Sequence, residues 1–238
     1  MKMLKNKSLE LSCIIITLNE EKHLPLLLES IKMQTLKNFE IIVSDFNSKD
    51  NTRKIAKSYG CKIVLGGKHA IARNNGAKAA RGKYLLFLDA DCTLKNEKFL
   101  EMNLKKFKKS NKGIASAIAS HYDGSFWDYI LYGFYGVFVR IIQKFSPHGT
   151  GACILVKKNV FFKNKGFNES VVFAEDHEIL KRIGKKEGFL ILPCKIHTST
   201  RRLKKEGRLN IFIKFIYAGI YRLFYKEIDK ELFKYKKT

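Results

Sequence analysis

The first 90 residues alternate between short apolar runs and segments with helical periodicity. The first helical segment has apolar residues at i, i+3, i+4 and i+7 from Leu24, and we expect this helix to begin near Asn19. Gly60 and Gly82 close the next two helical segments. The apolar runs span residues 11–17, 39–44, 61–65 and 84–88. A β-α-β-α-β-α-β order predicts an α/β fold with a doubly wound, mostly parallel sheet and helices on both faces.

The second half of the chain is less regular. We expect a small-residue strand at 114–120 and apolar strands at 152–156 and 189–192, with 189–192 as the last strand of the chain. A helix opens at Ala174, and its first turn is acidic, as the helix dipole favours. No linker separates a second domain within residues 1–205, so we expect one domain over this range.

Two segments are richer in aromatic residues than the cover of a sheet requires. Residues 126–145 are charged at both ends, which favours a buried or interfacial helix over a membrane-spanning one. Residues 211–225 lie within a basic tail, 206–238, which we expect to form a C-terminal helical appendage. We hypothesise that these helices contact the cytoplasmic face of a membrane peripherally. Packing against each other, or a dimer contact, is the alternative.

The composition indicates a globular protein of the cytoplasm. Hydrophobic residues make up 45% of the chain and charged residues 29%. The five cysteines are scattered and odd in number, which indicates reduced thiols. No apolar core with a small-residue cleavage site follows the start, so we expect no secretory signal. The net charge of +24 suits nucleic acid, an anionic membrane or a phosphorylated substrate, and also a merely Lys-rich proteome.

The strand at 84–88 leads directly into two carboxylates, Asp89 and Asp91. The carboxyl end of a strand is where an open parallel sheet presents ligand-binding groups. If the backbone stays extended, both side chains share a face and can reach one hard cation, such as Mg²⁺ or Mn²⁺. A cation between these carboxylates and a nucleotide diphosphate is the use that this chemistry indicates. Two solvated turn residues are the alternative.

Several short motifs follow one another in a fixed order at residues 15–20, 30–35, 40–52, 72–76, 88–91, 166–169 and 175–182. Together they resemble family 2 glycosyltransferases with the GT-A fold. The order is more specific than any single motif, and the resemblance covers roughly residues 10–205. It implies an inverting transferase that moves a sugar from a UDP- or GDP-sugar to an acceptor. The sequence does not identify the acceptor, and a lipid-linked one is a hypothesis.

The resemblance implies a nucleotide site at the first two strands. Asp45 matches the nucleobase carboxylate, which accepts a hydrogen bond from an N–H of uracil or guanine. Phe46 stands where the family often has a second acid, so the base stays open, although this ring could stack on it. Thr17, Asn19 and Glu20 match the first loop, which lines the nucleoside pocket. Plain helix capping is the alternative for these three residues.

The resemblance also implies groups that hold the diphosphate and the cation. Arg73 matches an arginine beside the nucleotide, where its planar fork suits phosphate. Asp89 and Asp91 match the metal-and-sugar motif of the family, and Asp91 is the first choice for a direct metal ligand. His197 lies in the segment that resembles the closure over the diphosphate, where a third metal ligand or a phosphate contact is expected. A structural histidine is the alternative.

The resemblance assigns the catalytic base to Asp176. An inverting transfer needs one carboxylate to take the proton of the acceptor as its oxygen attacks. Glu175 is the neighbouring alternative for this role. Two other function classes stay open: a non-catalytic basic protein that binds nucleotides or nucleic acid, and a nucleotidyltransferase on a related fold. The sequence contains no nucleic-acid-binding motif, so we expect no nucleic acid to bind. The loop 17–20 lacks the Gly-rich, basic character of the corresponding loop in nucleotidyltransferases.

Overall fold

The first half of the chain folds as the alternating pattern predicts. The computed structural model describes residues 9–143, 145–171, 174–208, 210–211, 213 and 217. Each of the four apolar runs forms a strand, and a helix follows each of the first three. These elements are β1 (Leu11–Thr17), α1 (Leu24–Lys32), β2 (Phe39–Asp45), α2 (Thr52–Ser58), β3 (Lys62–Leu65), α3 (His69–Ala79) and β4 (Tyr84–Asp89).

The second half adds shorter strands and five further helices in the described residues. They are β5 (Cys92–Thr93), α4 (Phe99–Lys109), β6 (Ile114–Ser116), β7 (Ala119–His121), α5 (Phe126–Ile142), β8 (Cys153–Lys157), α6 (Lys158–Lys163), α7 (Glu175–Glu187), β9 (Phe189–Ile191), β10 (Ile196–Thr198) and α8 (Arg201–Glu206).

The main sheet has seven strands in the order β3-β2-β1-β4-β8-β6-β9. The first four strands are parallel to one another, and β8 runs antiparallel to both β4 and β6. The register pairs Thr17 with Asp45 and Ile16 with Asp89. The carboxyl ends of β1, β2 and β4 therefore meet at one edge, as expected for a doubly wound, mostly parallel sheet. A second sheet has three strands in the order β5-β10-β7, and β5 is the first strand after β4 in the chain.

Helices cover both faces of the main sheet, as predicted. On one face, α1, α2 and α4 bury side chains such as Leu27 and Leu100 against the strands. On the other face, α3, α6 and α7 bury Ile179 and Phe161, and the Phe161 ring lies 5.4 Å from that of Phe87 between ring centroids. The five cysteines are free thiols, and four of them are buried. Both faces of the parallel strands are therefore buried, which explains why their sequences are continuous apolar runs.

Three sequence predictions about the elements are wrong. Helix α1 begins at Leu24 and not near Asn19, whose φ of 55° is left-handed and incompatible with a helix. The single strand expected at 114–120 is divided between two sheets. It divides after Ser116, whose hydroxyl accepts from Thr150 N and donates to Thr150 O across the neighbouring loop. The strand at 189–192 is not the last, because β10 follows with polar residues that no apolar run reveals.

The helix expected at 126–145 is α5, and only one side of it is buried. Asp128, Gly136 and Val139 face inward, whereas most of the aromatic residues are exposed. Among the described residues, none of the helices combines the length and the apolar character that a membrane span needs. Most of the tail at 206–238, including most of the aromatic run at 211–225, lies outside the described residues.

The start of α5 is fixed by a capping box. Ser125 N donates to Asp128 Oδ2 over 2.7 Å, and the Ser125 hydroxyl accepts from Asp128 N. The same buried carboxylate accepts from Arg208 Nε over 2.7 Å, so it joins α5 to the residues after α8. The Arg208 hydrogen bond is the largest cause that lowers the pKa of Asp128, to about 2, although burial opposes it.

We expect Asp128→Ala to lower the free energy of unfolding by about 1–2 kcal/mol at pH 7, because a helix cap and an ion pair are lost together. The lowered pKa means that the ionised carboxylate stabilises the fold above its unfolded pKa near 4. This contribution is lost as the pH falls towards 2. Thermal melts at pH 7 and pH 3 should therefore show a smaller deficit for the variant at pH 3. Glu97→Ala, which removes an exposed carboxylate, is the control, and an equal effect of both changes would contradict the prediction.

Candidate active site

The predicted nucleotide and metal residues lie at the carboxyl edge of the parallel strands. Thr17, Asp45 and Asp89 end β1, β2 and β4, and the register brings these strand ends side by side. The acidic start of α7 approaches the same edge, because Arg73 of α3 contacts both Asp89 and Glu175. The edge therefore collects the residues that the sequence motifs singled out from distant parts of the chain.

Asp45 is buried and strongly hydrogen-bonded within the protein. Its Oδ2 accepts from the Thr17 hydroxyl over 3.0 Å and from the Ser48 hydroxyl over 2.5 Å, and its Oδ1 accepts from Ser48 N over 3.1 Å. The Arg53 Nε lies 3.7 Å from Oδ1. A carboxylate oxygen has about two acceptor positions, so Oδ1 keeps capacity for one further donor. Phe46 beside it is 41% exposed and presents an aromatic ring at the same edge.

The first loop is held to the loop after β2 by backbone and side-chain hydrogen bonds. Asn19 N donates to the Ser48 hydroxyl over 2.9 Å, and Asn19 Oδ1 accepts from Lys49 N over 2.9 Å. Glu20 N donates to the Thr52 hydroxyl over 2.8 Å. These bonds require the left-handed backbone at Asn19 and fix both loops as one unit. The side-chain carboxylate of Glu20 takes no part in these hydrogen bonds.

Arg73 joins three elements from a buried position. Its Nη2 donates to Asp89 Oδ1 over 2.9 Å and its Nη1 donates to Glu175 Oε1, while the guanidinium carbon lies 5.3 Å from the centroid of the Phe167 ring. Burial lowers the pKa of Arg73, but the charges of Asp89, Glu175 and Asp176 raise it above its usual value. The arginine therefore stays charged, and Glu175 is bound as its counter-ion.

Asp91 faces a second arginine. The Arg201 Nε lies 3.2 Å from Asp91 Oδ2, while the same guanidinium donates to both carboxylate oxygens of Glu20 over 2.9 and 2.6 Å. Burial, followed by the charge of Asp89, raises the pKa of Asp91 to about 7, and Arg201 opposes this shift. Asp89 is thus close enough for its charge to oppose the ionisation of Asp91.

Asp176 is the second residue of α7 and lies close to a loop that contains two glycines. A Cβ at Gly151 would lie 2.4 Å from Asp176 Oδ2, so this close approach requires glycine. Ala174 has a φ of 57°, which turns the chain sharply into α7. Imidazole Nε2 of His177 lies 3.9 Å from Asp176 Oδ2. The charge of Asp176 also acts on Arg73, although the direct hydrogen bond from Arg73 goes to the neighbouring Glu175.

His197 lies on β10, opposite Thr93 of β5. Burial, followed by the charges of Lys95 and Lys195, lowers the pKa of its imidazole to about 4. Its Nδ1 is buried and has no hydrogen-bond partner among the described residues. Ser199, two residues further along, donates its backbone N–H to Asp91 O over 3.0 Å, so β10 runs beside the Asp91 turn. The role of His197 as a third metal ligand or a phosphate contact stays a prediction.

Asp89 and Asp91 could hold a divalent cation. They offer the oxygen donors that Mg²⁺ and Mn²⁺ prefer, and the charge of Asp89 opposes the ionisation of Asp91. Within the described residues, no group of three or more His, Cys, Asp or Glu side chains is arranged to hold a metal ion. Mg²⁺ sites of this kind commonly use one or two carboxylates and complete their shell with substrate phosphates and water.

Sequence reasoning missed several contacts in the site. The ion pairs from Arg201 to Glu20 and Asp91 join residues 181 and 110 positions apart, and no local pattern reveals them. The approach of Gly151 to Asp176 is likewise a contact between distant residues.

Comparison with known proteins identifies the family. The sequence profile of Glycosyl transferase family 2 matches residues 12–168. An uncharacterized glycosyltransferase of Haemophilus influenzae is 29% identical over 205 residues, which are 79% of this chain and 65% of that protein. The chain spans between 21% and 65% of the length of the curated relatives in this comparison.

Solved structures share the fold at low sequence identity. Residues 1–349 of S. aureus TarS in complex with UDP-GlcNAc align with a TM-score of 0.64 at 20% identity, over 92% of this chain and 68% of that one. The mannosyltransferase PcManGT from Pyrobaculum calidifontis, in complex with GDP-Man and Mn²⁺, aligns with a TM-score of 0.66 at 20% identity, over 87% and 64%. The fold is therefore that of GT-A glycosyltransferases, as the sequence motifs implied. With a profile match over more than half of its length, the chain belongs to glycosyl transferase family 2.

Proposed function

We propose that the protein transfers a sugar from a UDP- or GDP-sugar to an acceptor, with inversion at the anomeric carbon and with a divalent cation. The observation that carries the proposal is the convergence of Asp45, Asp89, Asp91 and Asp176 on the carboxyl edge of one sheet. Structural neighbours with the same fold were solved with UDP-GlcNAc and with GDP-Man and Mn²⁺, which supports a nucleotide-sugar donor and a cation.

The donor is expected to lie along this edge from the first loop to α7. The remaining acceptor position of Asp45 suits an N–H of the base, and Phe46 offers a ring for stacking. Thr17, Asn19 and Glu20 line the approach to this pocket. The carboxylate of Glu20 is bound by the Arg201 guanidinium, so the proposed role of Glu20 is to position Arg201.

The diphosphate is expected to lie between the two arginines. Asp91, assisted by Asp89, would hold the cation, and His197 is the proposed third ligand or phosphate contact. When bound, the cation neutralises charge on the departing diphosphate, which contributes several kcal/mol in such reactions. Arg73 holds Asp89 in place, and Arg201 brings a cationic fork to Asp91.

Asp176 is the proposed base. The acceptor hydroxyl gives its proton to an Asp176 oxygen while the hydroxyl oxygen forms a bond to the anomeric carbon. The bond from that carbon to the diphosphate oxygen breaks, and the nucleoside diphosphate leaves with the electron pair. Glu175 is the weaker candidate, because its carboxylate already accepts from buried Arg73. Its proposed role is to position Arg73.

The proposal is tested by donor screening. Purified protein is mixed with UDP- and GDP-sugars in the presence of Mg²⁺ or Mn²⁺, and thermal stabilisation and donor hydrolysis are measured. A donor at 100 times its dissociation constant should add about 2.7 kcal/mol to the free energy of unfolding. Stabilisation by one nucleotide series, dependent on the cation, is the expected result. Stabilisation by nucleic acid alone, reversed by salt and indifferent to the cation, would favour the non-catalytic alternative.

We expect Asp176→Asn to lower the turnover number by about 10²- to 10⁴-fold while donor affinity changes little. The carboxamide keeps the shape of the side chain but cannot accept a proton at neutral pH. Donor affinity is measured by titration calorimetry and turnover by release of nucleoside diphosphate. Glu187→Gln at the other end of α7 is the matched control. Turnover near that of the unmodified protein would remove Asp176 from the role of base.

We expect Asp91→Ala to weaken donor binding in Mn²⁺ at least about tenfold, because the proposed cation loses its main protein ligand. Affinity measured in EDTA serves as the internal control and should differ little between the variant and the unmodified protein. If the Mn²⁺-dependent gain in affinity persists in the variant, the assignment of Asp91 as metal ligand is wrong.

A further inference from the structure

One face of α5 exposes large apolar side chains that the reaction does not explain. We define the outer face of α5 as six residues that lie within an arc of about 160° on a helical wheel. Each is between 53% and 71% exposed. Single exposed apolar residues are ordinary, but a contiguous aromatic strip indicates an interaction surface. The six residues are Phe126, Trp127, Tyr129, Phe134, Val137 and Ile141.

The inner face of α5 contacts the segments that form the site. The Tyr132 hydroxyl lies 3.0 Å from the Thr198 hydroxyl on β10, and the Tyr135 hydroxyl lies 3.3 Å from His148 Nε2. The ring of His148 is in turn 4.4 Å from that of His177, the neighbour of Asp176, between centroids. The inner face of α5 is therefore linked to the Asp176 end of the site through the two histidines.

The charges around the outer face suit an anionic surface. The only acidic residue of α5 is Asp128, which faces inward and is bound by Ser125 and Arg208. Arg140 lies within the arc of the outer face and is exposed. Lys204 donates to Asp123 O, which sets the basic helix α8 beside the start of α5. The chain after Thr200 holds twelve Lys or Arg against four Asp or Glu.

We propose that the outer face of α5 docks on the surface of an anionic lipid bilayer, with the helix lying in the plane of the interface. Aromatic side chains together with cations are the composition of interfacial helices. Each cation near an anionic leaflet adds attraction. A second copy of the chain is a poorer occupant, because two proteins of net charge +24 repel each other.

This inference goes beyond the proposed reaction and can be tested without it. If both hold, a lipid-linked acceptor would reach Asp176 from the docked side. Docking itself needs no donor, cation or acceptor, so its failure and the failure of the proposed function are separate results.

Trp127 is the only tryptophan of the chain and lies on the outer face, 68% exposed, so its fluorescence reports docking directly. The unmodified protein is titrated with vesicles of phosphatidylglycerol and phosphatidylcholine, and with phosphatidylcholine vesicles alone. We expect a saturable blue shift and co-sedimentation with the anionic vesicles, both weakened by high salt. Phe134→Ser with Ile141→Ser keeps the probe and should lower the partition coefficient at least about tenfold.

Met33→Ser removes an apolar side chain that is 59% exposed at the end of α1 and should leave partitioning unchanged. Circular dichroism melts establish that each variant is folded. Three results would overturn the proposal: no shift with either vesicle, equal partitioning into neutral vesicles, or equal loss in the Met33 control. A blue shift that grows with protein concentration in the absence of lipid, with a dimer mass by light scattering, would assign the outer face to self-association instead.

Discussion

The buried guanidinium of Arg73 is the interaction on which the site depends. It links α3 to the end of β4 through Asp89 and to the start of α7 through Glu175. These elements come from both halves of the chain, and their carboxylates would repel one another without a cation between them. Removing one partner of a buried ion pair costs about 3–5 kcal/mol, because the remaining charge is left uncompensated. Arg73 therefore fixes the start of α7 through Glu175 and stabilises the acidic edge.

The parallel half of the fold could be predicted because its signals are local. Each strand is a continuous apolar run, and helical spacing from Leu24 placed the buried face of α1 correctly. The positions of Asp45 and Asp89 at strand ends follow from the same runs, since parallel strands end at a common edge. The family resemblance then added Asp176, which local periodicity identifies only as an acidic helix start.

The remaining features depend on contacts between distant residues. The true start of α1 is set by hydrogen bonds from Asn19 to the loop after β2, which no helical pattern contains. The residues after β6 leave the main sheet because β7 pairs with β10 in the second sheet. The sequence does not reveal β10, since it is too short and polar to show the alternation of a strand. The ion pairs of Arg201 with Glu20 and Asp91 are likewise products of the tertiary fold. Sequence predicted which residues gather at the edge but not which of them are bound to one another.

In the proposed function, the distribution of charge would couple the binding of the donor to the binding of the cation. The chain carries a net charge of +24, yet the edge concentrates carboxylates, including Asp89 and Asp91. An approaching diphosphate meets Arg73 and Arg201, but Asp89, Glu175 and Glu20 already bind those guanidiniums. The diphosphate alone would therefore meet little uncompensated positive charge. In the proposed function, a divalent cation would reverse this balance at Asp91, and the diphosphate would in turn supply ligands that the described side chains lack. By linkage, each of the two would then raise the affinity of the protein for the other by the same factor.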